Sequence, residues 1–400
     1  MKTICRTSLA LALLALPSLV SAQDKAAASP PKAWAPKHAF ANGTELSATG
    51  NFAYDLNDFS GDGYGASTAL EDDHDWRRRE FGFSLKRKGV YDFGASFDFQ
   101  AKTWMDVALR LESKALFGND AGKFRVGQMK LPLGFEGNTA SRSGSFMENS
   151  LPSQAFYQGR RIGVDWAFER PHFLLNAGYY GGDLEGNNPG NTLAARAAWT
   201  PMKAAGHVLH LGVATTEEHP DSETNGLGVE VLPSVRWRAK PEASLTAVRL
   251  VDSGNLTQVD RIRRTGLEAL YIQGPFSLQG EYLRQRTSRN AGLPGYSADG
   301  YYVFGSWMAT GESRPYSGGN VGNPKPQAAY GALELVARYS RIDLDNDGID
   351  GGNQHNWTFG ANWYLTQNFK FQANYVKVDA ERGMASADPH LFELRAQLHF

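Results

Sequence analysis

The chain has 400 residues, with 41 Lys and Arg against 42 Asp and Glu, so its formal net charge is −1. A balance so near zero excludes the basic domain or stripe that marks a nucleic-acid binder. Aromatic residues make up 12% of the chain and glycines number 43, while the single cysteine, Cys5, excludes a disulfide framework.

The first segment, "MKTICRTSLALALLALPSLVSA", has basic residues Lys2 and Arg6, an apolar run from Leu9 to Leu16 and a small-residue site ending at Ala22. It predicts a secretory signal over residues 1–22. The apolar run is too short to cross a membrane as a helix. Cys5 precedes that run, so it does not serve as a lipid anchor. Its removal leaves an exported chain without a disulfide and a balance of about −3. Residues 23–40, rich in Ala, Pro and Lys, predict a flexible leader, and 41–400 a single domain.

From there the chain alternates. "YDFGASFDF" sets Tyr91, Phe93, Ala95, Phe97 and Phe99 on one face, and "WMDVALRLES" sets Met105, Val107, Leu109 and Leu111 against Asp106, Ala108, Arg110 and Glu112. "TFGANWYL" does the same near the C-terminus, and "LFELRAQLHF" opposes Phe392, Leu394, Ala396, Leu398 and Phe400 to Glu393, Arg395, Gln397 and His399. Strict period two predicts strands with one apolar and one polar face. Polar, Gly-rich stretches around 57–75, 134–160, 181–191, 217–228, 286–300 and 311–328 read as outer loops. "DLDNDGID" (343–350) opens like a calcium loop, but its twelfth position is Gln354 where a bidentate Glu is needed, and alternating runs flank it. It predicts a hairpin turn.

A soluble sandwich would alternate too. The export signal, the aromatics at strand ends and the alternating final segment favour a transmembrane antiparallel β-barrel, in which every backbone group is paired by closure. Spanning strands of about 9–11 residues with their connections predict about 16 strands, with 14 or 18 as alternatives.

Two stretches carry a family resemblance. "FRVGQMKLPLGFEGNTASRSGSFMENSLPSQAFYQGRRIGV" (124–164) resembles the segment around the third loop of the phosphate- and polyphosphate-selective porins (porins O and P) of Gram-negative outer membranes. "ADGYYVFGSWMATGESRPY" (298–316) and the run from Gly331 to Asp379 look like the C-terminal signature of that family. The resemblance implies a 16-stranded barrel, a homotrimer, a third loop folded inward and a passive channel for phosphate, polyphosphate or related anions. It also implies that outer-membrane lipid and lipopolysaccharide surround the chain, and it calls for no cofactor.

An anion pore needs cations at its narrowest point, arginine for its planar fork and lysine as a point charge. Lys130, Arg142, Arg160 and Arg161 lie in the segment that the resemblance places there. Strand parity adds Lys86, Arg110 and Arg338 as candidates facing the lumen, with Arg395 and acids including Glu80, Asp106 and Glu334 on the same face. The clusters "RRR" (77–79) and "RIRR" (261–264) read as solvated rim charge, with lipid phosphates or guidance of anions as alternatives. No G-x-S-x-G elbow or H-E-x-x-H helix is present, so no enzyme is expected. The alternative functions are a general porin without anion preference and a barrel that displays its loops for structural or adhesive purposes.

Overall fold

The computed structural model describes residues 35–61, 63–65 and 70–400. The predicted signal, and the leader as far as residue 34, lie outside the described residues. Sixteen long strands follow one another: β1 (Thr44–Ser60), β2 (Asp73–Arg87), β3 (Tyr91–Asp98), β4 (Thr103–Glu112), β5 (Lys123–Lys130), β6 (Arg160–Glu169), β7 (Phe173–Tyr180) and β8 (Gly190–Ala204) form the first half. The second half is β9 (His207–Pro220), β10 (Val259–Gln273), β11 (Phe276–Arg289), β12 (Tyr296–Met308), β13 (Ala332–Asp343), β14 (Asn353–Tyr364), β15 (Phe369–Arg382) and β16 (His390–His399). Each pairs antiparallel with the next, and β16 returns to β1 from Asn51↔His399 to Ser60↔His390. The sheet is closed, which leaves no long edge to satisfy. A short strand, Lys37–Ala39, lies against β1, so the last residues of the predicted leader belong to the sheet.

The alternation read from the sequence decides which side faces out, and it is inverted relative to a water-soluble fold. On β10, Leu267 and Tyr271 are 54% and 41% exposed, whereas Arg264 and Glu268 of the opposite parity are buried. Among the described residues polar and charged side chains are buried about as often as apolar ones, while many Leu, Val, Phe and Trp side chains of the strands are exposed. An apolar outer band around a polar interior is the pattern of a barrel in lipid. On β16, Glu393, Arg395, Gln397 and His399 are buried and the apolar series faces outward, as expected. Bulges interrupt the pattern. A bulge on β4 pairs Phe97 with Trp104 and Ala95 with Val107, so Trp104 replaces Met105 in the lipid-facing series and Met105 is buried.

Turns of a few residues (88–90, 170–172, 205–206, 274–275, 365–368) gather at one end, and most of the long connections lie at the other. Segment 344–352, holding the Asp-rich stretch, is a tight connection. Its Asp343 and Asp345 carboxylates accept hydrogen bonds from the backbone N–H groups of Asp345 and Gly352. Residues 309–331 correct an expectation. They join β12 to β13 at the short-turn end, not at the outer end, because strand order fixes the end and composition only signals a loop. The connection after β9 is also longer than expected, running from 221 to 258. It folds inward on an apolar cluster in which Trp237, Val251 and Leu256 pack with Leu151 and Phe156 of the third loop.

Candidate functional site

The third loop, 131–159, joins β5 to β6 and carries two short α-helices, α1 (Phe135–Asn138) and α2 (Leu151–Phe156), with a 3-10 turn (Ser141–Ser143) between them. Buried wall residues seat it. The Glu281 carboxylate on β11 accepts the N–H groups of Phe135 and Glu136 at 2.9 and 3.2 Å. On β13, Glu334 accepts from Ser145 Oγ at 3.0 Å and Ser340 Oγ accepts from Leu151 N at 3.0 Å. Lys370 on β15 donates to Gly144 O at 3.0 Å, and Arg395 on β16 to Met147 O at 2.7 Å. The loop therefore lies against β11–β16, leaving a passage on the side of β2–β6.

On that side lies a cavity of about 190 Å³ whose walls include Arg77, Arg78, Lys130, Glu148, Tyr157 and Arg160. Lys130 and Arg160 face each other in the β5–β6 register. Lys130 Nζ donates to Gly137 O and Thr139 O at 2.8 and 2.9 Å, and Arg160 Nε to Asp106 Oδ1 at 2.6 Å. Arg77 and Arg78 come from a bulge on β2, which pairs Arg78 with Ala53 and Trp76 with Tyr54 and so turns two successive side chains inward. Arg77 holds Glu148 of the loop at 2.7 and 3.0 Å, while Arg78 has its nearest carboxylates, Asp98 and Glu80, at 3.4 and 3.7 Å. Glu148 is gripped from behind by Arg395 at 3.2 Å. Burial alone would push its carboxyl up; the Arg77 charge and hydrogen bond, with Arg395, outweigh this and hold it well below the usual carboxylate range.

The expected quartet is thus divided. Lys130 and Arg160 line the cavity together. Arg161 is buried outside that cavity, beside Arg264, with Glu218 at 3.9 Å and its Nη1 donating to Arg160 O. Arg142 is exposed on the loop, its carbonyl accepting from Asn323. Of the strand candidates, Arg338 is 1% exposed and is a brace: it bonds Glu136 and the Glu148 carbonyl of the third loop and Glu242 of the 221–258 loop, so solutes do not reach it. Lys86 is exposed opposite Glu45 near the short turns. Arg110 lies 3.5 Å from Asp92 and lines a wider vestibule of about 1060 Å³ at that end, with Lys114, Lys123 and Arg170 among its other cations. Sequence reading missed Arg77 and Arg78. The run of three arginines was the available signal, but strict alternation places Arg78 apart from its neighbours.

Two further elements shape the conduit. The 221–258 loop brings Lys240 above the cavity; burial, then the charges of Arg249 and Arg77, lowers its affinity for a proton. From the opposite end, segment 309–331 reaches up under the third loop: Arg314 donates to Ser143 O at 3.1 Å and Asn323 to Arg142 O at 3.0 Å. Among the described residues no group of three or more His, Cys, Asp or Glu could hold a metal ion.

The family model for phosphate-selective porins O and P matches residues 46–400. The chain belongs to that porin family. It is a porin of the Gram-negative outer membrane, and its fold and family are those of a channel. Porin O of Pseudomonas aeruginosa is 28% identical over 213 residues, 47% of each chain. The porin spans about half the length of the curated relatives it matches. Among solved structures, OmpT of Vibrio cholerae superposes with a TM-score of 0.57 at 11% identity, covering 90% of this porin and 99% of OmpT. An anion-selective porin from Comamonas acidovorans gives 0.54 at 12% identity, covering 89% and 100%. At such identities the likeness is one of fold.

Proposed function

We propose that this porin is an anion-preferring diffusion channel that passes phosphate or related oxyanions, and that it works as a homotrimer in contact with lipopolysaccharide. The supporting observation is the convergence of Arg78, Lys130 and Arg160 with Arg77 on one cavity of about 190 Å³ beside the third loop. Cations around so narrow a passage replace part of the anion's hydration as it crosses. Carboxylates claim much of this charge: Asp106 takes Arg160 and Glu148 takes Arg77. Arg78 and Lys130 are the least compensated, so they carry the preference and the preference is graded. Membership of a phosphate-selective family supports the solute class, and a trimer form of OmpT supports the assembly. No catalytic step enters this reading.

Reversal potential in a salt gradient tests it. The unaltered channel should favour chloride over potassium, and Arg78→Gln with Lys130→Gln should move the potential toward zero, most in dilute salt where screening is weakest. Arg142→Gln and Arg161→Gln should move it little. Phosphate should lose more than chloride, because only an oxyanion uses the arginine fork. The pairing of nearly every lumen arginine with a carboxylate favours a second reading, a general porin without preference; a potential near zero in the unaltered protein would establish it.

A further inference from the structure

The sequence "RIRR" divides at the strand. Arg264 points inward, 6% exposed, and bonds Glu218 at 2.7 Å. Arg261 and Arg263 share the outward face of β10 with Leu267 and Tyr271. Across the register Arg263 faces Arg286, and Thr265 faces Arg284, on the outward face of β11 with Phe276 and Leu278. Four arginines of two neighbouring strands therefore share one patch on the outside of the barrel, away from the conduit. Its neighbouring acids are Glu217 of β9, which pairs with Arg263, and Asp299 of β12, which faces Arg284. Among the described residues no ion pair engages Arg261, Arg284 or Arg286, and the Nε of Arg284 is buried without a hydrogen-bond partner. With Asp260, exposed and next to Arg261, also counted, the patch keeps a net positive charge.

Height identifies what meets them. Arg263 and Arg286 lie ten residues above the Gln273–Phe276 pair that closes the hairpin at the short-turn end. With a rise of about 3.3 Å per residue and a strand tilt of about 40°, ten residues climb roughly 25 Å, the height of the apolar band of such barrels. Beneath the arginines the outward face is apolar, with Leu267, Leu278, Tyr301 and Val303 each 38% exposed or more. The patch thus lies where headgroups of the outer leaflet begin, above a surface that acyl chains cover.

We infer that Arg261, Arg263, Arg284 and Arg286 form a docking site for the phosphate of an outer-leaflet lipid, a phosphorylated glycolipid of the lipopolysaccharide type. Arginine forks take phosphate oxygens in pairs, and the leaflet boundary lowers the dielectric relative to bulk water, which strengthens the attraction. A lipid fits better than free phosphate because the arginines lie on the outer wall of the barrel and the apolar surface beneath them adds acyl contact. The inference rests on the outer-membrane placement and not on ion selectivity.

The test uses the full chain, purified in mild detergent, stripped of lipid and exposed to bisphosphorylated lipid A, with bound lipid counted by native mass spectrometry. Arg263→Gln with Arg286→Gln should lower binding about tenfold, as expected for two lost charge-assisted contacts, and Arg286→Lys should retain most of it. Lipid A without phosphates should bind the unaltered protein as weakly as bisphosphorylated lipid A binds the double variant. Inorganic phosphate at millimolar concentration should fail to displace the lipid. Single-channel conductance should be unchanged, which shows that the double variant is folded. Equal binding by the double variant, equal binding of dephosphorylated lipid, or displacement by inorganic phosphate would each overturn the proposal. Loss of the oligomer in the double variant would overturn it as well, by assigning the patch to a subunit contact.

Discussion

Glu148 joins three parts of the molecule: the loop that carries it, Arg77 on β2 and Arg395 on β16. Glu148→Gln leaves Arg77 without its carboxylate while Arg395 keeps Asp55, and the loss should be about 1–3 kcal/mol. Thermal unfolding in detergent should show the loss, and open-channel current should become noisier as the loop loosens. A depressed folded pKa means that this stabilisation is full above the ordinary carboxylate value and is lost only as pH falls through the folded one. Current noise should therefore be alike at pH 7 and at about pH 4; a marked rise between those values would contradict the clamp. Little of this was legible beforehand. Residues that carry charge into the lumen could be named from parity, but Arg338 and Arg161 have the same sequence signature as Arg78 and are spent on braces or buried opposite Glu218. What separates them is the partner each meets across hundreds of residues.

At the scale of the strand the sequence was a better guide, because the side-chain period of two is a backbone property that no tertiary contact alters. Leu394→Arg at the lipid face should cost about 2–4 kcal/mol in refolding titrations into lipid, and a polar replacement of Gln397 on the inner face far less. Cysteine at position 394 should resist a water-soluble maleimide that reaches lumen positions such as 110; equal labelling would refute the face assignment. Asp345→Asn and Asp347→Asn should leave the melting temperature nearly unchanged with or without calcium, since Asp345 serves the backbone of its own turn. Strand reading failed where the period is interrupted. The bulges at Arg77 and at Met105–Asp106 each insert one residue, and nothing in local composition announces them.

For the whole molecule, the count of sixteen strands followed from chain length and strand span, and the inward third loop from resemblance. The bodies that enter the barrel from both ends did not, because a Gly- and Pro-rich connection looks the same whether it waves in solvent or folds back into a lumen. Segment 309–331 supports the third loop from below through Arg314 and Asn323. Replacing 313–327 by a short Gly-Ser link should raise single-channel conductance and current noise together, measured in planar bilayers. An unchanged conductance would show that the narrowing is set by the third loop alone.

The pair between Arg395 and Asp55 links residues 340 positions apart in the sequence. It forms only after the last strand has docked on the first, and the same guanidinium then holds Met147 O. An open sheet has no such grip, so closure of the wall and the hold on the third loop are coupled. One guanidinium thereby ties the seam of the cylinder to the loop inside it.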